Sequence, residues 1–195
     1  LPSLRANVEC LDRARNLPDD ELDSVLGGLN EELVELSALF DELIQLASET
    51  DDTSTARDVD LAEVVEEAVD RFRRRTGREV TLSTESTPVP GESSQLDRAV
   101  TNLLANADKF SPPEAPIDVV LAERTVVVSD HGPGIADIDR PFVFDRFFRS
   151  SSARSQPGSG LGLAIVRQIA ERHGGSVTVG SSVDGGAAVG FSVGP

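Results

Sequence analysis

Three alternating glycines followed by an apolar helical pattern are the feature that most constrains this chain. The segment Gly158-Ser159-Gly160-Leu161-Gly162 leads into apolar residues at helical spacing that continue to Ile169. Glycine permits tight turns and lets a ligand approach bare backbone N–H groups. The first N–H groups of a helix lack partners and lie at the positive end of its dipole, so this pattern is typical of an anion site. A flexible loop before an ordinary surface helix fits the pattern equally well, because short glycine patterns often arise by chance.

The two best-known phosphate loops do not fit this segment. No Gly-Lys-Ser or Gly-Lys-Thr occurs in it, which excludes the P-loop. The dinucleotide-binding fingerprint requires a strand directly before the glycines, whereas residues 149–157 are rich in serine and arginine and are typical of a loop. The glycines therefore belong to another nucleotide-binding arrangement, which the rest of the chain has to define.

Length, charge and cysteine content narrow the class of protein. The 195 residues suffice for one large domain or two small ones. A net charge of −16 argues against nucleic acid or an anionic membrane as the main partner. The single cysteine, Cys10, fits a reducing compartment and excludes an internal disulfide. The chain begins with Leu1 inside a helical pattern, so we expect an excerpt of a longer protein, and no run approaches the length of a membrane span.

The first 50 residues predict a helical hairpin with a broad apolar face. A turn at 16–20 separates two amphipathic segments, and the second carries apolar residues at alternating steps of four and three from Leu22 to Ala47. Two helices alone cannot bury so wide a stripe, which favours a four-helix bundle formed by a homodimer through residues 1–50. The alternative is a hairpin packed on the next domain of the same chain. Residues 51–60 are acidic and polar and are predicted to be a linker, followed by a second domain over 61–195.

A helix predicted from Ser93 or Ser94 to about Phe110 carries an unusual polar line. Asn102, Asn106 and Lys109, the only lysine of the chain, are spaced by four and three and therefore share a face. An amide oxygen can ligate Mg²⁺ and a lysine can meet phosphate. A solvated polar face is the simpler alternative.

Strands and turns fill the remainder of the second domain. Helical spacing predicts a helix over 61–75 that ends near Gly77, and alternation predicts strands at 80–84, 117–121 and 125–129. Residues 88–91 are predicted to break the chain, and a hairpin over 176–193 turns at residues 184–186. Asp130 ends a strand beside Gly132 and Gly134, where a carboxylate can accept a bond from an exocyclic amine; an Asx turn is the alternative. Four of the eight phenylalanines follow within 142–148 and are suited to a lid, a base-covering surface or a core.

Taken in order, four segments resemble the boxes of sensor histidine kinases of two-component systems. Residues 102–111 (NLLANADKFS) resemble the N box, and 130–134 (DHGPG) resemble the G1 box. Residues 144–149 (FDRFFR) resemble the F box, and 158–162 (GSGLG) resemble the G2 box. Four motifs in order are far more specific than any one of them, so the simpler alternatives lose most of their weight. The resemblance implies an α+β chain in which the helical hairpin precedes a Bergerat-type α/β sandwich with a mixed, mostly antiparallel sheet.

The resemblance also implies roles for individual residues, with ATP and Mg²⁺ as cofactors. Asn106 would bind Mg²⁺, Asn102 would help order the site, and Arg149 would approach the γ-phosphate, so Asn102 and Arg149 are the catalytic candidates. Asp130 would recognise the adenine amine, and Gly132 and Gly134 would leave room for the base. The remaining nucleotide contacts implied are Lys109, Phe110, Ile135, Arg146, Phe148, Gly158, Ser159, Gly160, Leu161, Gly162 and Leu163.

Residues 1–9 resemble the segment directly after the phosphoacceptor motif of these kinases, so the acceptor histidine would lie upstream of Leu1 and this chain would not phosphorylate itself on histidine. The implied partner is a response regulator receiver domain, and the implied parent is anchored in the bacterial inner membrane, with this part in the cytoplasm. Two alternatives stay open: a serine kinase of the anti-sigma type and a catalytically silent nucleotide-binding scaffold. A gyrase- or chaperone-type ATPase would need a glutamate where Asn102 stands.

Overall fold

A computed structural model of the protein describes residues 57–150, 159–183 and 185–195. The predicted helical hairpin over 1–50 and most of the predicted linker lie outside these residues. Residues 151–158, which include Gly158, also lie outside them.

A five-stranded mixed sheet forms one layer of the domain. Its strands are β2 (Val80–Ser83), β4 (Ile117–Ala122), β5 (Thr125–Ser129), β6 (Val177–Ser181) and β7 (Ala187–Ser192), in the order β2-β4-β5-β7-β6. The β2–β4 pair is parallel, and the other three pairs are antiparallel. Alternation places Val119, Val128 and Val189 in register on one face, and all three are buried.

Three helices form the second layer: α1 (Leu61–Thr76), α2 (Ser93–Phe110) and α3 (Gly162–Arg172). Asp60 caps α1 by accepting a 3.0 Å hydrogen bond from the N–H of Ala62, and Gly77 ends it in the left-handed conformation at φ 69°. The bond from the Ser86 hydroxyl and those from the N–H groups of Thr87 and Ala62 lower the pKa of Asp60. The helices bury one apolar face each on the sheet, as in Val65, Val69, Leu96, Val100, Leu103 and Val166.

A second, two-stranded sheet pairs β1 (Arg57–Asp60) with β3 (Pro88–Gly91) in antiparallel register. The sequence placed β1 in the linker and predicted a break in the chain at β3. Proline cannot donate to a ladder, but it is tolerated in a short edge strand, and Val89 alternates inward to full burial between Pro88 and Pro90. Residues 88–91 therefore form a strand, and the predicted break is wrong.

The other predicted elements are confirmed within a residue or two. The helices over 61–75 and 93–110, the strand pair 117–121 and 125–129, and the hairpin over 176–193 are all present. The β4–β5 turn has two residues, Glu123 (φ 49°) and Arg124 (φ 62°), both left-handed. Tight hairpins need this conformation, and here non-glycine residues supply it.

Candidate nucleotide-binding site

The C-terminal half of α2 is the centre on which the four motif segments converge. Its core face is buried, while Asn102, Asn106 and Lys109 are half-buried along another face. Asn102 donates from Nδ2 to the carbonyl of Arg98 at 2.9 Å, which leaves its Oδ1 facing away from that bond. The amide of Asn106 makes no hydrogen bond to any residue that the structure describes. An unengaged amide oxygen on this face suits a hard cation, so the residues present fit the predicted metal position.

Lys109 lies beside a second positive charge. Its Nζ is 4.9 Å from the ring centroid of Phe110. Burial lowers the pKa of Lys109, and the nearby positive charge of Arg149 lowers it further. The structure therefore brings the predicted phosphate contacts Lys109 and Arg149 near one another, and an anion placed beside both would offset their mutual repulsion.

Asp130 follows β5 and is the most deeply buried charged side chain that the structure describes, with 3% of it exposed. Its Oδ1 accepts hydrogen bonds from the N–H groups of Gly132 at 2.8 Å and Ala187 at 3.1 Å. Its Oδ2 receives no hydrogen bond from the described residues. A buried acceptor without a partner is costly, so Oδ2 is suited to a donor that a ligand brings.

The glycines of the DHGPG segment serve close backbone contacts. A Cβ on Gly132 would lie 2.5 Å from the carbonyl oxygen of Phe110, at the end of α2. Gly134 has φ +71°, and a Cβ there would lie 2.8 Å from the carbonyl oxygen of Gly185. These glycines let the loop pack against α2 and against the C-terminal hairpin; their predicted role of leaving room for a base stays a prediction. Ile135 is half-buried on the core, and its carbonyl accepts a bond from Arg140 at 3.3 Å.

The GSGLG segment meets the N-box helix through Gly162. A Cβ on Gly162 would lie 3.0 Å from Oδ1 of Asn102, so a larger residue at this position would require the Asn102 side chain to shift by a few tenths of an ångström. No side chain caps α3, so its first N–H groups remain available at the positive end of the helix. Leu161 is buried and Leu163 is half-buried against the core, which fixes the direction of α3. Of the predicted G2 residues, Gly158 lies outside the described part, and Ser159 has no contact that bears on its predicted role.

The phenylalanine-rich segment over 142–148 contacts the GSGLG segment at Gly160. The N–H of Phe147 donates to the carbonyl of Gly160 at 3.1 Å, and Gly160 (φ +77°) packs against the carbonyl of Phe148. The rings of Phe148 and Phe142 are 5.9 Å apart. Phe144 is in the core, whereas Phe147 is 60% exposed.

The two arginines predicted to contact the nucleotide differ in their surroundings. Arg149 lies near Lys109, while Arg146 is exposed and forms no hydrogen bond or ion pair with another described residue. Arg149 therefore belongs to the cationic pair, and the nucleotide contact predicted for Arg146 stays a prediction.

Three supporting residues were not found from the sequence. Ser111 is buried, and its Oγ accepts a 3.3 Å bond from the N–H of His131, which joins the N-box helix to the DHGPG loop. Arg140 donates to the Ser181 hydroxyl at 2.8 Å as well as to Ile135, joining that loop to β6. Arg78 lies beneath the end of α2. A serine after a predicted helix end is a weak signal for Ser111, whereas no local pattern marks the two arginines.

Both histidines of the chain have structural partners. Nδ1 of His131 lies 3.0 Å from the carbonyl of Pro116. His173 contacts the carbonyl of Ile169 through Nδ1 at 2.8 Å, and its Nε2 accepts a bond from the N–H of Glu92 at 3.2 Å. These contacts fit the expectation that neither is the phosphoacceptor.

The fold and the four converging segments define an ATPase domain, and comparison with known families agrees. Residues 91–194 match the family described as histidine kinase-, DNA gyrase B- and HSP90-like ATPase. The chain belongs to this family.

Its relatives are sensor kinases. It is similar to the signal transduction histidine-protein kinase/phosphatase MprB of Mycolicibacterium smegmatis, with 41% identity over 99% of this chain and 42% of the relative. It is also similar to the solved structure of a mycobacterial sensor histidine kinase MprB, with 42% identity and a TM-score of 0.65; the match covers 70% of this chain and 97% of the MprB chain. A third match is to the ATP binding domain of PrrB from Mycobacterium tuberculosis, with 27% identity and a TM-score of 0.57; it covers 72% of this chain and 98% of the PrrB domain. The resemblance and the Bergerat-type fold predicted from the sequence are thus confirmed.

The chain spans about two fifths of the length of the curated relatives it matches. Among the described residues, none of the helices has the length and apolarity that crossing a bilayer requires.

Proposed function

We propose that this chain is the ATP-binding catalytic part of a sensor histidine kinase that transfers the γ-phosphate of ATP to a histidine on its helical domain. The observation that carries the proposal is the meeting of α2 and α3. The uncapped N-terminus of α3 lies against Asn102, on the helix that also carries Asn106 and Lys109. Phosphoryl transfer depends on positioning and charge neutralisation, which this arrangement is suited to supply.

Each part of the nucleotide has a matching group in the site. The free Oδ2 of Asp130 would accept a hydrogen bond from the adenine amine. The N–H groups at the start of α3, with Lys109 and Arg149, would hold the phosphates. Asn106 would hold Mg²⁺ bridging the phosphates, and when bound the ion supplies Lewis-acid neutralisation of their charge.

The chemistry of Asn102 separates this site from an ATPase that runs continuously. An amide cannot take a proton from water at neutral pH, so Asn102 would not act as a general base. Its contacts with Arg98 and Gly162 instead place it between the two helices, where it would hold the phosphate-binding turn in register. Slow hydrolysis preserves ATP for transfer, and Arg149 would neutralise the charge that develops on the γ-phosphate.

The remaining parts of the proposal concern the parent protein. The segment over 1–50 would dimerise as a four-helix bundle, and the phosphate would pass from histidine to an aspartate of a response regulator receiver domain. The parent would be anchored in the inner membrane with this part in the cytoplasm. The similarity to a protein named as a signal transduction histidine-protein kinase/phosphatase supports the kinase part of this proposal.

Calorimetry and phosphotransfer test the proposal together. We expect the protein to bind ADP with Mg²⁺, and to label a helical fragment of the mycobacterial relative that carries the acceptor motif with acid-labile phosphate from γ-labelled ATP. Asn106→Asp, which alters the proposed metal ligand without changing size, is expected to abolish labelling. Nucleotide binding without labelling would favour the silent scaffold. Acid-stable phosphate on serine would favour the anti-sigma-type kinase, and no binding at all would refute the nucleotide site.

A further inference from the structure

Arg78 is a buried arginine directly after the turn that ends α1. Its side chain is 6% exposed, and Nη1 forms a 2.8 Å ion pair with Oδ1 of Asp108. Nε and Nη2 donate to the carbonyl of Ala115 at 3.2 and 3.0 Å, Nη1 to the carbonyl of Asp108 at 3.2 Å, and Nη2 to the carbonyl of Pro112. One guanidinium thus binds both ends of the segment 108–115.

The segment that Arg78 holds carries part of the proposed nucleotide site. Lys109 and Phe110 follow Asp108 directly, and the carbonyl of Phe110 packs against Gly132. Ser111 is the next residue and accepts the bond from His131. The direction in which the segment leaves α2 therefore determines where the ammonium and the DHGPG loop lie relative to one another.

Arg78 acts on this segment through geometry rather than through its charge. The carboxylate of Asp108 balances the positive charge of Arg78, so little net charge remains to act on a phosphate. The planar guanidinium has five N–H donors in a fixed arrangement, which is why it reaches one carboxylate and three carbonyls at once. A lysine would keep the charge but could satisfy only part of this set.

We propose that Arg78 is a positioning residue for the nucleotide site, which holds Lys109 and Phe110 in place through Asp108, Pro112 and Ala115. The expected effect of Arg78 on nucleotide affinity rests on the proposed function. The expected effect of Arg78 on the position of Lys109 does not, because it holds for the nucleotide-free protein as well.

The single lysine of the chain gives a direct measurement of this position. Selective ¹³Cε labelling of lysine yields one resonance, and the ring of Phe110 beside the Lys109 ammonium shifts it. Arg78→Lys adds a second lysine resonance, as its control below also does, and the resonance of Lys109 is identified as the one that disappears when Lys109→Arg is added to the same variant. In the full chain, Arg78→Lys is expected to move the Lys109 resonance toward that of a lysine without an aromatic neighbour. The same variant is expected to raise the Kd for Mg-ADP about tenfold, the lower end of what loss of a supporting residue costs. Asp108→Asn keeps the carbonyl acceptors and is expected to cause a smaller change in the same direction.

Arg73→Lys is the matched control. Arg73 also donates to a backbone carbonyl, that of Val80 at 2.6 Å, and pairs with Asp70, but it forms no hydrogen bond or ion pair with residues 108–115. This variant is expected to lower stability in urea and to leave the Lys109 resonance and the Kd unchanged.

Three outcomes would overturn the inference. A folded Arg78→Lys protein with the wild-type resonance would do so, and so would an Arg73→Lys protein whose resonance moves as far. If Arg78→Lys does not fold, an unchanged resonance in Asp108→Asn has the same force. Failure of the wild-type protein to bind Mg-ADP would refute the proposed function instead, while the resonance would still decide the role of Arg78.

Discussion

Replacement of Asp130 by asparagine is expected to separate nucleotide recognition from folding. The two oxygens of this carboxylate have different tasks: Oδ1 accepts bonds from the N–H groups of Gly132 and Ala187, and Oδ2 receives none from the described residues. An asparagine can place its amide oxygen at the Oδ1 position and retain both bonds. Its NH₂ group then occupies the Oδ2 position, where it can donate but cannot accept.

The structure sets the size of each effect. The two retained bonds weaken because the acceptor loses its charge, which costs about 1–2 kcal/mol of folding free energy. Asp130→Ala would leave the buried N–H of Ala187 unpaired, at about 1–3 kcal/mol, and would cost less at the part-buried N–H of Gly132. Loss of the bond between Oδ2 and the adenine amine costs about 1.5–3 kcal/mol, which raises the Kd for ATP about 10- to 150-fold.

The base of the nucleotide supplies the decisive comparison. Inosine triphosphate carries a carbonyl where ATP carries the amine, so the carboxylate of Asp130 should reject it and the amide of Asp130→Asn should accept it. We therefore expect calorimetry with Mg²⁺ to show that the wild-type protein binds ATP more tightly than inosine triphosphate. In Asp130→Asn this preference should be abolished or reversed. Urea unfolding checks that the variant is folded. An unchanged ratio of the two affinities in a folded variant would show that Oδ2 does not contact the base.

Three further predictions test other parts of the structure. Gly160→Ala introduces a Cβ at φ +77° against the backbone of Phe147 and Phe148, and is expected to weaken Mg-ATP binding at least tenfold. The control Gly185→Ala, at φ +92° in open space, bears only the backbone strain of about 1–2 kcal/mol and should bind Mg-ATP normally. Equal affinities of the two variants would contradict a role of the close packing at Gly160 in binding. Arg149→Gln removes one of the causes that lower the pKa of Lys109, so that pKa should rise in the lysine NMR titration. The pKa of Lys109 is lower in the folded than in the unfolded protein, so the free energy of unfolding should increase as pH rises from the folded-state pKa to the unfolded-state pKa. Phosphate binding should weaken over the same alkaline range, because Lys109 loses its charge. In Arg149→Gln both changes should begin at higher pH, and an unchanged pKa would exclude the pairing of Lys109 with Arg149. Glu123→Gly relieves a left-handed residue (φ 49°) and should stabilise the protein by up to about 1 kcal/mol in urea, with a loss of stability showing that the side chain matters more than the strain.

Periodicity and short motifs were enough to predict the three α-helices and most of the strands of the described part of the chain, whereas the nucleotide contacts assigned to individual residues stay predictions. The spacing of Asn102, Asn106 and Lys109 fixes their common face in any helix. For Asp130, the Asx turn expected as the alternative is present as the bond from the N–H of Gly132 to Oδ1, and only the second carboxylate oxygen is left for a ligand. The resemblance of four motifs in order then selected the fold, which the structure shows.

What sequence could not predict depends on contacts between distant segments. The β1–β3 pair joins residues some thirty positions apart, and the prolines of β3 are local signals against a strand. Arg78 reaches carbonyls more than thirty residues away, which no local pattern encodes. The tight fit of Gly132 against Phe110 likewise requires the docked helix and loop.

The last strand in the chain is an inner strand of the sheet, since β7 lies between β5 and β6. It also supplies the N–H of Ala187 that holds Asp130, and its turn provides the Ser182 hydroxyl that bonds the Asp130 carbonyl at 2.9 Å. During synthesis, a nascent chain that has not yet released residue 187 from the ribosome therefore lacks a partner of Asp130 in the proposed nucleotide site, however well α2 has formed. Nucleotide capture would consequently report that translation has passed this strand.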